Sequence, residues 1–160
     1  MTSSEISLFT QIARQGDVSV ASAIGKRYLL GIDGFQQNYA RAYEYLKMSI
    51  DHADNQKGEG GQGSQGHGGS LGLLGYMYAL GLGVERSLER AHEYFSAASL
   101  EGDSLGKNGL GFIYFHGTSK QERDVKQAYH YFNESAIGGS ADGMFNLASV
   151  SSCHYFNKSA

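Results

Sequence analysis

A pattern of two short helices joined by a glycine turn recurs along this chain. In residues 70–103, apolar side chains at spacings of three and four fall on one helix face, a glycine turn follows, and the spacing then resumes. Gly75 and Gly111 occupy equivalent positions 36 residues apart, and Tyr94 and Tyr131 are 37 residues apart. Repeat lengths in this range are typical of helical solenoids. The chain is therefore expected to be a stack of helix pairs.

Glycine recurs inside the predicted first helix of each pair. Gly25, Gly75 and Gly111 hold this position, where glycine costs about 1 kcal/mol relative to alanine. A recurring cost of this kind indicates a packing reason. We expect a large apolar side chain of a neighbouring helix to approach each glycine closely. Six tyrosines at periodic positions are expected to face neighbouring helices in this core: Tyr28, Tyr45, Tyr78, Tyr94, Tyr114 and Tyr131.

These features resemble the Sel-1-like repeat family, which is related to the tetratricopeptide repeats. The resemblance rests on LGYMY at residues 74–78, GLGV at 81–84, and Ala91, Tyr94-Phe95, Ala97-Ala98 and Gly102. It implies an all-α fold, a right-handed solenoid of antiparallel helix pairs, whose first helices line the concave face. It also implies a scaffold that binds other proteins, without catalysis and without a cofactor.

The repeat register divides residues 1–160, a single domain, into six segments. They are residues 4–15, the second helix of a preceding repeat; 16–53, repeat one; 54–69, a flexible glycine-rich insertion; 70–103, repeat two; 104–140, repeat three; and 141–160, an incomplete repeat four. In repeat four about 13 residues that should hold the turn are absent after Ser151, by comparison with repeat three. We hypothesise that a segment was lost there, so the last helix pair should fray or extend the first helix.

Composition narrows the function classes. The net charge of −3 and the pI of about 6.0 do not predict a nucleic-acid-binding surface. The single cysteine, Cys153, rules out an intrachain disulfide framework. No apolar run approaches the ~20 residues of a membrane span. The first residues lack the basic region and apolar stretch of a signal peptide.

Two motifs suggest cofactor or metal chemistry and are better explained otherwise. Residues 58–63 match GxGxxG, but the dinucleotide motif needs a preceding strand and a following helix, and here it lies in a glycine tract. His52 and His67 flank the insertion, but two histidines without a third ligand make a poor metal site. We interpret them as solvated loop histidines and expect no metal.

The sequence evidence for a catalytic site is equally weak. Glu85, Glu89 and Glu93 are spaced for one helix face near arginines, which a solvated, ion-paired face explains. Cys153 and His154 are adjacent, so their side chains point apart and nothing orients the histidine. No catalytic residue is assigned. A repeat-based hydrolase is the alternative from a different functional class.

The candidate binding site is the position just after the recurring Leu-Gly or Ile-Gly pair. It is occupied by Lys26, Tyr76 and Phe112, and the resemblance places it on the concave face, where it is expected to grip a partner peptide. The competing interpretation is that these three side chains pack between adjacent repeats.

Two glycosylation sequons, at Asn133 and Asn157, point towards a lumenal chain. Within the family, the pattern looks most like the repeat region of lumenal adaptors of the endoplasmic-reticulum-associated degradation ubiquitin ligase. The resemblance then implies ligase subunits or misfolded clients as partners and an endoplasmic-reticulum location. The alternative is a short cytosolic or bacterial Sel-1-like regulator of a signalling enzyme.

Overall fold

Helices are the only regular secondary structure in the described part of the chain. The computed structural model describes residues 1–57 and 67–157, apart from the side chains of Lys57 and of residues 152–157. Within these ranges there is no strand, and no helix is long and apolar enough to cross a bilayer. The helices are α1 (Ser3–Arg14), α2 (Val18–Leu30), α3 (Tyr39–Lys57), α4 (His67–Leu80), α5 (Leu88–Leu100), α6 (Ser104–His116), α7 (Val125–Ile137) and α8 (Ala141–Asn157).

Local sequence sets where the helices begin. Thr2 and Glu5 form a capping box at the start of α1. Asp17 accepts a hydrogen bond from the Val20 amide at the start of α2, and Asp103 does the same for the Gly106 amide at the start of α6. These caps satisfy amides that have no partner inside the helix.

Three consecutive pairs, α2–α3, α4–α5 and α6–α7, are the predicted repeats one, two and three. The first helices of adjacent repeats touch one another, so α4 packs between α2 and α6, and α6 also touches α8. No such contact joins α3 to α5 or α5 to α7 among the described residues. Because, among the three complete repeats, only the first helices are in mutual contact, this part of the stack curves towards them. They form its inner layer, and the second helices form its outer layer.

Glycine allows each pair to pack closely, as predicted. A Cβ added at Gly75 lies 2.5 Å from the Phe95 ring, and one added at Gly111 lies 2.5 Å from the Phe132 ring. Real Cβ atoms do not come this close to a neighbour, so the rings occupy the space that a side chain would need. The glycine cost to the helix is thus offset by burial of a large side chain, since Phe95 and Phe132 are each only 3% exposed.

The periodic tyrosines stack in pairs, one from each helix of a repeat. Ring centroids lie 5.8 Å apart for Tyr28 and Tyr45, 5.5 Å for Tyr78 and Tyr94, and 5.5 Å for Tyr114 and Tyr131. The expectation of core packing is confirmed for the buried Tyr28, Tyr45 and Tyr78, whereas Tyr94, Tyr114 and Tyr131 are half-buried and pack against the edge of the core. In the first two repeats an arginine of the second helix also lies over the first-helix tyrosine ring: Arg41 over Tyr28, and Arg90 over Tyr78.

The helices around the insertion extend further than the sequence indicated. α3 continues to Lys57 and α4 begins at His67, so residues 54–57 and 67–69 are helical rather than part of a loop over 54–69. The added turn of α3 is held by the first residue of repeat one, because the side-chain amide of Gln56 donates to the Gly16 carbonyl at 3.1 Å. The GxGxxG match at 58–63 lies outside the described residues.

The described residues of repeat four form one helix. α8 runs from Ala141 to Asn157, past the position near Ser152 where the turn was expected. Of the two predicted outcomes, fraying and extension, the structure has extension of the first helix as far as Asn157. Residues 158–160 are not described.

Candidate interaction surface

The three predicted binding residues lie on the inner layer and are exposed. Lys26 on α2, Tyr76 on α4 and Phe112 on α6 each follow the glycine that contacts the second helix. Tyr76 is 41% and Phe112 37% exposed. Adjacent first helices touch, so the three side chains share one surface. The competing interpretation, burial between repeats, does not describe this geometry.

A second row, which the sequence reasoning missed, lies one helical turn further on. Leu30, Leu80 and His116 each follow a predicted binding residue by four positions, and all three are exposed. Leu30 is 49% and Leu80 51% exposed. Residues four apart share a helix face, so this spacing was the available signal. We call the six residues together the inner stripe: Lys26, Leu30, Tyr76, Leu80, Phe112 and His116.

The inner stripe is apolar in the middle and basic or titratable at its ends. Phe112 and His116 are in direct contact, with ring centroids 4.4 Å apart. At the other end, Lys26 makes no ion pair with any described residue, whereas its neighbour Arg27 is paired with Asp33 at 3.0 Å. The Lys26 ammonium is therefore available to an acidic group from outside the chain.

A second concave region lies at the junction of repeats one and two. Two hollows, of about 680 and 370 Å³, share Tyr43, Tyr78 and Arg90 in their walls. The Arg90 guanidinium donates to the Tyr78 hydroxyl at 3.1 Å, and the hydroxyls of Tyr43 and Tyr78 are 3.4 Å apart. The hydrogen bond with Tyr78, with burial added, raises the pKa of Tyr43 to about 12.

Of the three glutamates predicted to share a helix face, Glu89 and Glu93 lie four residues apart on α5, but Glu85 does not lie on the helix. α5 begins at Leu88, so Glu85 lies in the preceding turn, where it lines the larger hollow. Glu93 lines the smaller one. Glu89 accepts a hydrogen bond from the Ser119 hydroxyl, which lowers the pKa of its carboxyl. The helix start at Leu88, set by the Ser87 cap on the Arg90 amide, explains the difference.

His67 is not the solvated loop residue that was expected. It opens α4, is 5% exposed, and lies between two carboxylates: Nε2 is 3.6 Å from Asp54 and Nδ1 is 3.5 Å from Glu101. The extra turn of α3 brings Asp54 to it, which sequence spacing could not show. His52 is half-buried. Among the described residues, no group of three or more His, Cys, Asp and Glu side chains could hold a metal.

Of the two glycosylation sequons, the structure describes the side chains of only the one at Asn133. Asn133 on α7 is half-buried, and Ser135 of the same sequon is fully buried with its hydroxyl donating to the Ser104 carbonyl at 2.7 Å. The Asn157 side chain lies outside the description. Glycosylation of these residues stays a prediction.

Comparison with known proteins agrees with this architecture. The family model described as Sel1 repeat matches residues 20–54, 70–103 and 104–140, more than half of the chain. No curated protein matches significantly. A solved Sel1 repeat protein from Oxalobacter formigenes superposes with a TM-score of 0.70 over 91% of this chain and 53% of its own, at 23% identity.

A second solved structure is c5321, described as a protective antigen present in uropathogenic Escherichia coli strains and displaying an SLR fold. It superposes with a TM-score of 0.65 at 30% identity, over 89% of this chain and 27% of its own. The chain thus spans about half of the first neighbour and about a quarter of the second. The expected fold, an all-α solenoid of antiparallel helix pairs, is confirmed.

Proposed function

Because the chain belongs to the Sel1 repeat family, whose members are generally non-catalytic interaction scaffolds, we propose that it binds a segment of another protein along the inner stripe. The observation that carries the proposal is the exposure of four large apolar side chains at two equivalent positions: Tyr76, Phe112, Leu30 and Leu80. Exposed apolar side chains that form a continuous surface mark interaction sites, whereas scattered ones do not.

The stripe suits a short extended segment. Packed helices lie about 8–10 Å apart, so three first helices span about 16–20 Å. An extended chain rises about 3.3 Å per residue, so a partner segment of about five or six residues would run along all three helices. Its apolar side chains would rest on Tyr76, Leu80 and Phe112. A carboxylate at one end would pair with Lys26, whose ammonium has no partner among the described residues.

There are two candidates for the specific role of this protein. The two solved neighbours described above are bacterial, which supports the bacterial form of the alternative, a short Sel-1-like regulator of a signalling enzyme. The adaptor of the endoplasmic-reticulum ubiquitin ligase rests on the sequons at Asn133 and Asn157. Immunoblotting the native protein from its source cells with and without endoglycosidase separates them. A band that shrinks on treatment supports the lumenal adaptor, and an unshifted band supports the regulator.

The binding proposal is tested with a random-peptide phage library panned on the purified chain. Enriched sequences are synthesised and titrated by fluorescence polarisation against the wild type and a Lys26→Ala, Tyr76→Ala, Phe112→Ala variant. We expect peptides with aromatic or aliphatic residues and an acidic end, and at least a tenfold weaker Kd for the variant.

A matched control removes exposed side chains from second helices instead. Leu100→Ala, Tyr129→Ala and Ile137→Ala act at positions 90%, 47% and 75% exposed, away from the stripe. This variant should bind as the wild type does. Equal binding by the wild type and the stripe variant, with both folded by circular dichroism, would show that the inner stripe is not the binding site.

A further inference from the structure

The second helices of repeats one and two stand apart, and the gap between them is a groove on the outer layer. α3 and α5 are not in contact, whereas both pack against α4. The two hollows at this junction follow the gap: α3 contributes Tyr43, α5 contributes Arg90, and α4 contributes Tyr78 as the floor. We call the two hollows together the outer groove. The larger one, about 680 Å³, has the size of a pocket for a small ligand.

The outer groove is a different surface from the inner stripe. Its floor includes Leu71 and Tyr78, which lie two turns apart on one face of α4. Tyr76 of the stripe lies two residues before Tyr78, which places it about 200° around the helix. A ligand in the groove and a partner on the stripe therefore contact opposite sides of α4.

Two arginines in the wall of the larger hollow carry charges that no described residue neutralises. The Arg90 guanidinium donates to the Tyr78 hydroxyl at 3.1 Å and lies 5.3 Å from the centre of the Tyr78 ring, so Tyr78 holds it in place. The Arg86 Nε donates to the Ala79 carbonyl at 2.9 Å. Neither arginine makes an ion pair with a described residue, and each keeps N–H groups for a ligand.

The charges of the two hollows determine what kind of ligand fits. The wall of the larger hollow holds the two guanidiniums and one carboxylate, that of Glu85, which gives a net charge of +1. In the smaller hollow Arg90 and Glu93 balance, and Leu71 and Ala97 add apolar surface to that of the tyrosines. A single negative charge suits the larger hollow, and an uncharged apolar group suits the smaller one.

The tyrosine hydroxyls shared by the two hollows supply one further donor. The hydroxyls of Tyr43 and Tyr78 are 3.4 Å apart, so one of their two protons lies between them. The Tyr78 oxygen also accepts from Arg90, which uses none of the hydroxyl protons. The second proton therefore remains available to a ligand oxygen.

We propose that the outer groove binds a molecule that carries one carboxylate on an apolar body. The carboxylate pairs with Arg86 and Arg90, because a guanidinium matches the geometry of two carboxylate oxygens. The apolar body lies in the smaller hollow against Leu71 and Tyr94, whose ring stacks on that of Tyr78. A free aromatic or aliphatic acid has this chemistry, and so does a peptide whose last residue is apolar.

The equivalent place between repeats two and three lacks these groups. Gln127 holds the position of Arg90 there, and His92 holds the position of Tyr43. The proposed site is therefore specific to the junction of repeats one and two. Because repeat three already has glutamine at this position, Arg90→Gln should leave the chain folded.

An NMR titration of the isotope-labelled whole chain with N-acetyl-phenylalanine tests this proposal. Saturable shifts are expected at backbone amides of the outer groove, with a Kd of about 1 mM for a ligand of this size. N-acetyl-phenylalanine amide has the same apolar body without the carboxylate, and should bind at least about tenfold more weakly. Arg90→Gln should weaken binding of the acid at least about fivefold, since the guanidinium is exposed.

Arg41→Gln is the matched control. Arg41 forms the same kind of pair in repeat one, where it donates to the Tyr28 hydroxyl at 2.9 Å and lies 5.4 Å from the ring centre, but it lines neither hollow. This variant should bind N-acetyl-phenylalanine as the wild type does. The stripe variant, Lys26→Ala, Tyr76→Ala, Phe112→Ala, should also bind it unchanged, which separates this proposal from binding on the inner stripe.

A short peptide that ends in phenylalanine with a free carboxylate distinguishes the two sources of the ligand. Binding at least about tenfold tighter than that of N-acetyl-phenylalanine identifies a peptide C-terminus, and binding no tighter identifies a free acid. The proposal is overturned if N-acetyl-phenylalanine gives no saturable shifts in the outer groove up to about 10 mM. It is also overturned if the amide binds equally well, or if Arg41→Gln weakens binding as much as Arg90→Gln does.

Discussion

The two junctions between complete repeats occupy equivalent places in the fold and are built from different chemistry. Between repeats one and two, the Ser70 hydroxyl lies 2.8 Å from that of Ser22 and 3.0 Å from that of Ser49. Between repeats two and three, Gly106 takes the place of Ser70. A Cβ added there would lie 2.5 Å from the Ala98 Cβ and 2.8 Å from the Ser99 amide nitrogen. We call these the serine junction and the glycine junction.

The difference shows that the same arrangement of helices can be built with either a close-packed or a hydrogen-bonded junction. In the glycine junction, backbone and apolar side chains touch directly, so its stability comes from packing and it has no room for added volume. In the serine junction, serine hydroxyls lie between the helices, and the buried ones must keep their hydrogen-bond partners. The serine junction also adjoins the insertion and carries the buried His67. The glycine junction should therefore be sensitive to added side-chain volume, and the serine junction to the loss of polar atoms.

The largest expected effect comes from placing the serine of one junction into the other. Gly106→Ser adds two heavy atoms against the backbone of α5, which cannot move as a side chain could. We expect a loss of about 3 kcal/mol in the free energy of unfolding, near the upper end for overpacked cores. Urea denaturation followed by circular dichroism measures it.

Gly69→Ala is the matched control for helix propensity. Gly69 lies in α4 with nothing within 4 Å of an added Cβ. The substitution should stabilise the chain by about 0.5–1 kcal/mol, because alanine favours the helix. If Gly106→Ser were as mild as Gly69→Ala, the glycine junction would not be closely packed and the contrast with the serine junction would fail.

Ser70→Ala tests the serine junction with a smaller expected effect. Removing the hydroxyl leaves Ser49 its bond to the Val18 carbonyl at 3.0 Å, so only part of the network is lost. We expect a loss of about 1–2 kcal/mol in the free energy of unfolding. Ser149→Ala, at an exposed residue whose hydroxyl bonds only to the Phe145 carbonyl of its own helix, should change stability by less than about 0.5 kcal/mol. Equal effects would mean that the buried hydroxyls contribute nothing specific.

The sequence predicted what depends on one repeat and missed what depends on two. Helix pairs, tyrosines that face neighbouring helices, and the packing role of Gly75 and Gly111 follow from spacing within a unit and were predicted, although the stacking of the tyrosines was not. The roles of Gly106 and Ser70 depend on which helix of the neighbouring repeat lies beside them. The 36-residue period alone does not show this, because equivalent positions carry different residues in the two junctions.

The same limit applies to the candidate site and to His67. Three residues of the inner stripe were found because they follow an obvious glycine. Leu30 and Leu80 were missed because a leucine at the end of an apolar helix is usually a core residue. His116, at the corresponding position of α6, was missed with them. His67 was misjudged because its two carboxylate neighbours lie at the ends of other helices, 13 residues before it and 34 after it in sequence. Burial of this kind depends on how far α3 extends.

The smallest expected effect is an alkaline weakening of the serine junction alone. Tyr43 of this junction meets Tyr78 edge to face at 6.4 Å, and the equivalent contact of the glycine junction is His92 with Tyr114 at 6.2 Å. The pKa of Tyr43 is raised from 10.0 to about 12 in the folded chain. The stabilisation that this shift reflects is fully present below the unfolded pKa near 10 and is lost as pH rises through about 12.

Two measurements check this last prediction. The tyrosinate absorbance lost on Tyr43→Phe substitution should titrate near pH 12 and not near 10. Amide exchange above pH 10, compared between wild type and Tyr43→Phe to remove the intrinsic rate, should show opening at α3 and α4 before α5 and α6. Equal opening of both pairs, or a difference absorbance that rises near 10, would mean that the hydroxyl pair does not hold the serine junction. Its strength would then come from the serine hydroxyls and from the apolar side chains packed across it, among them Leu46 and Leu71.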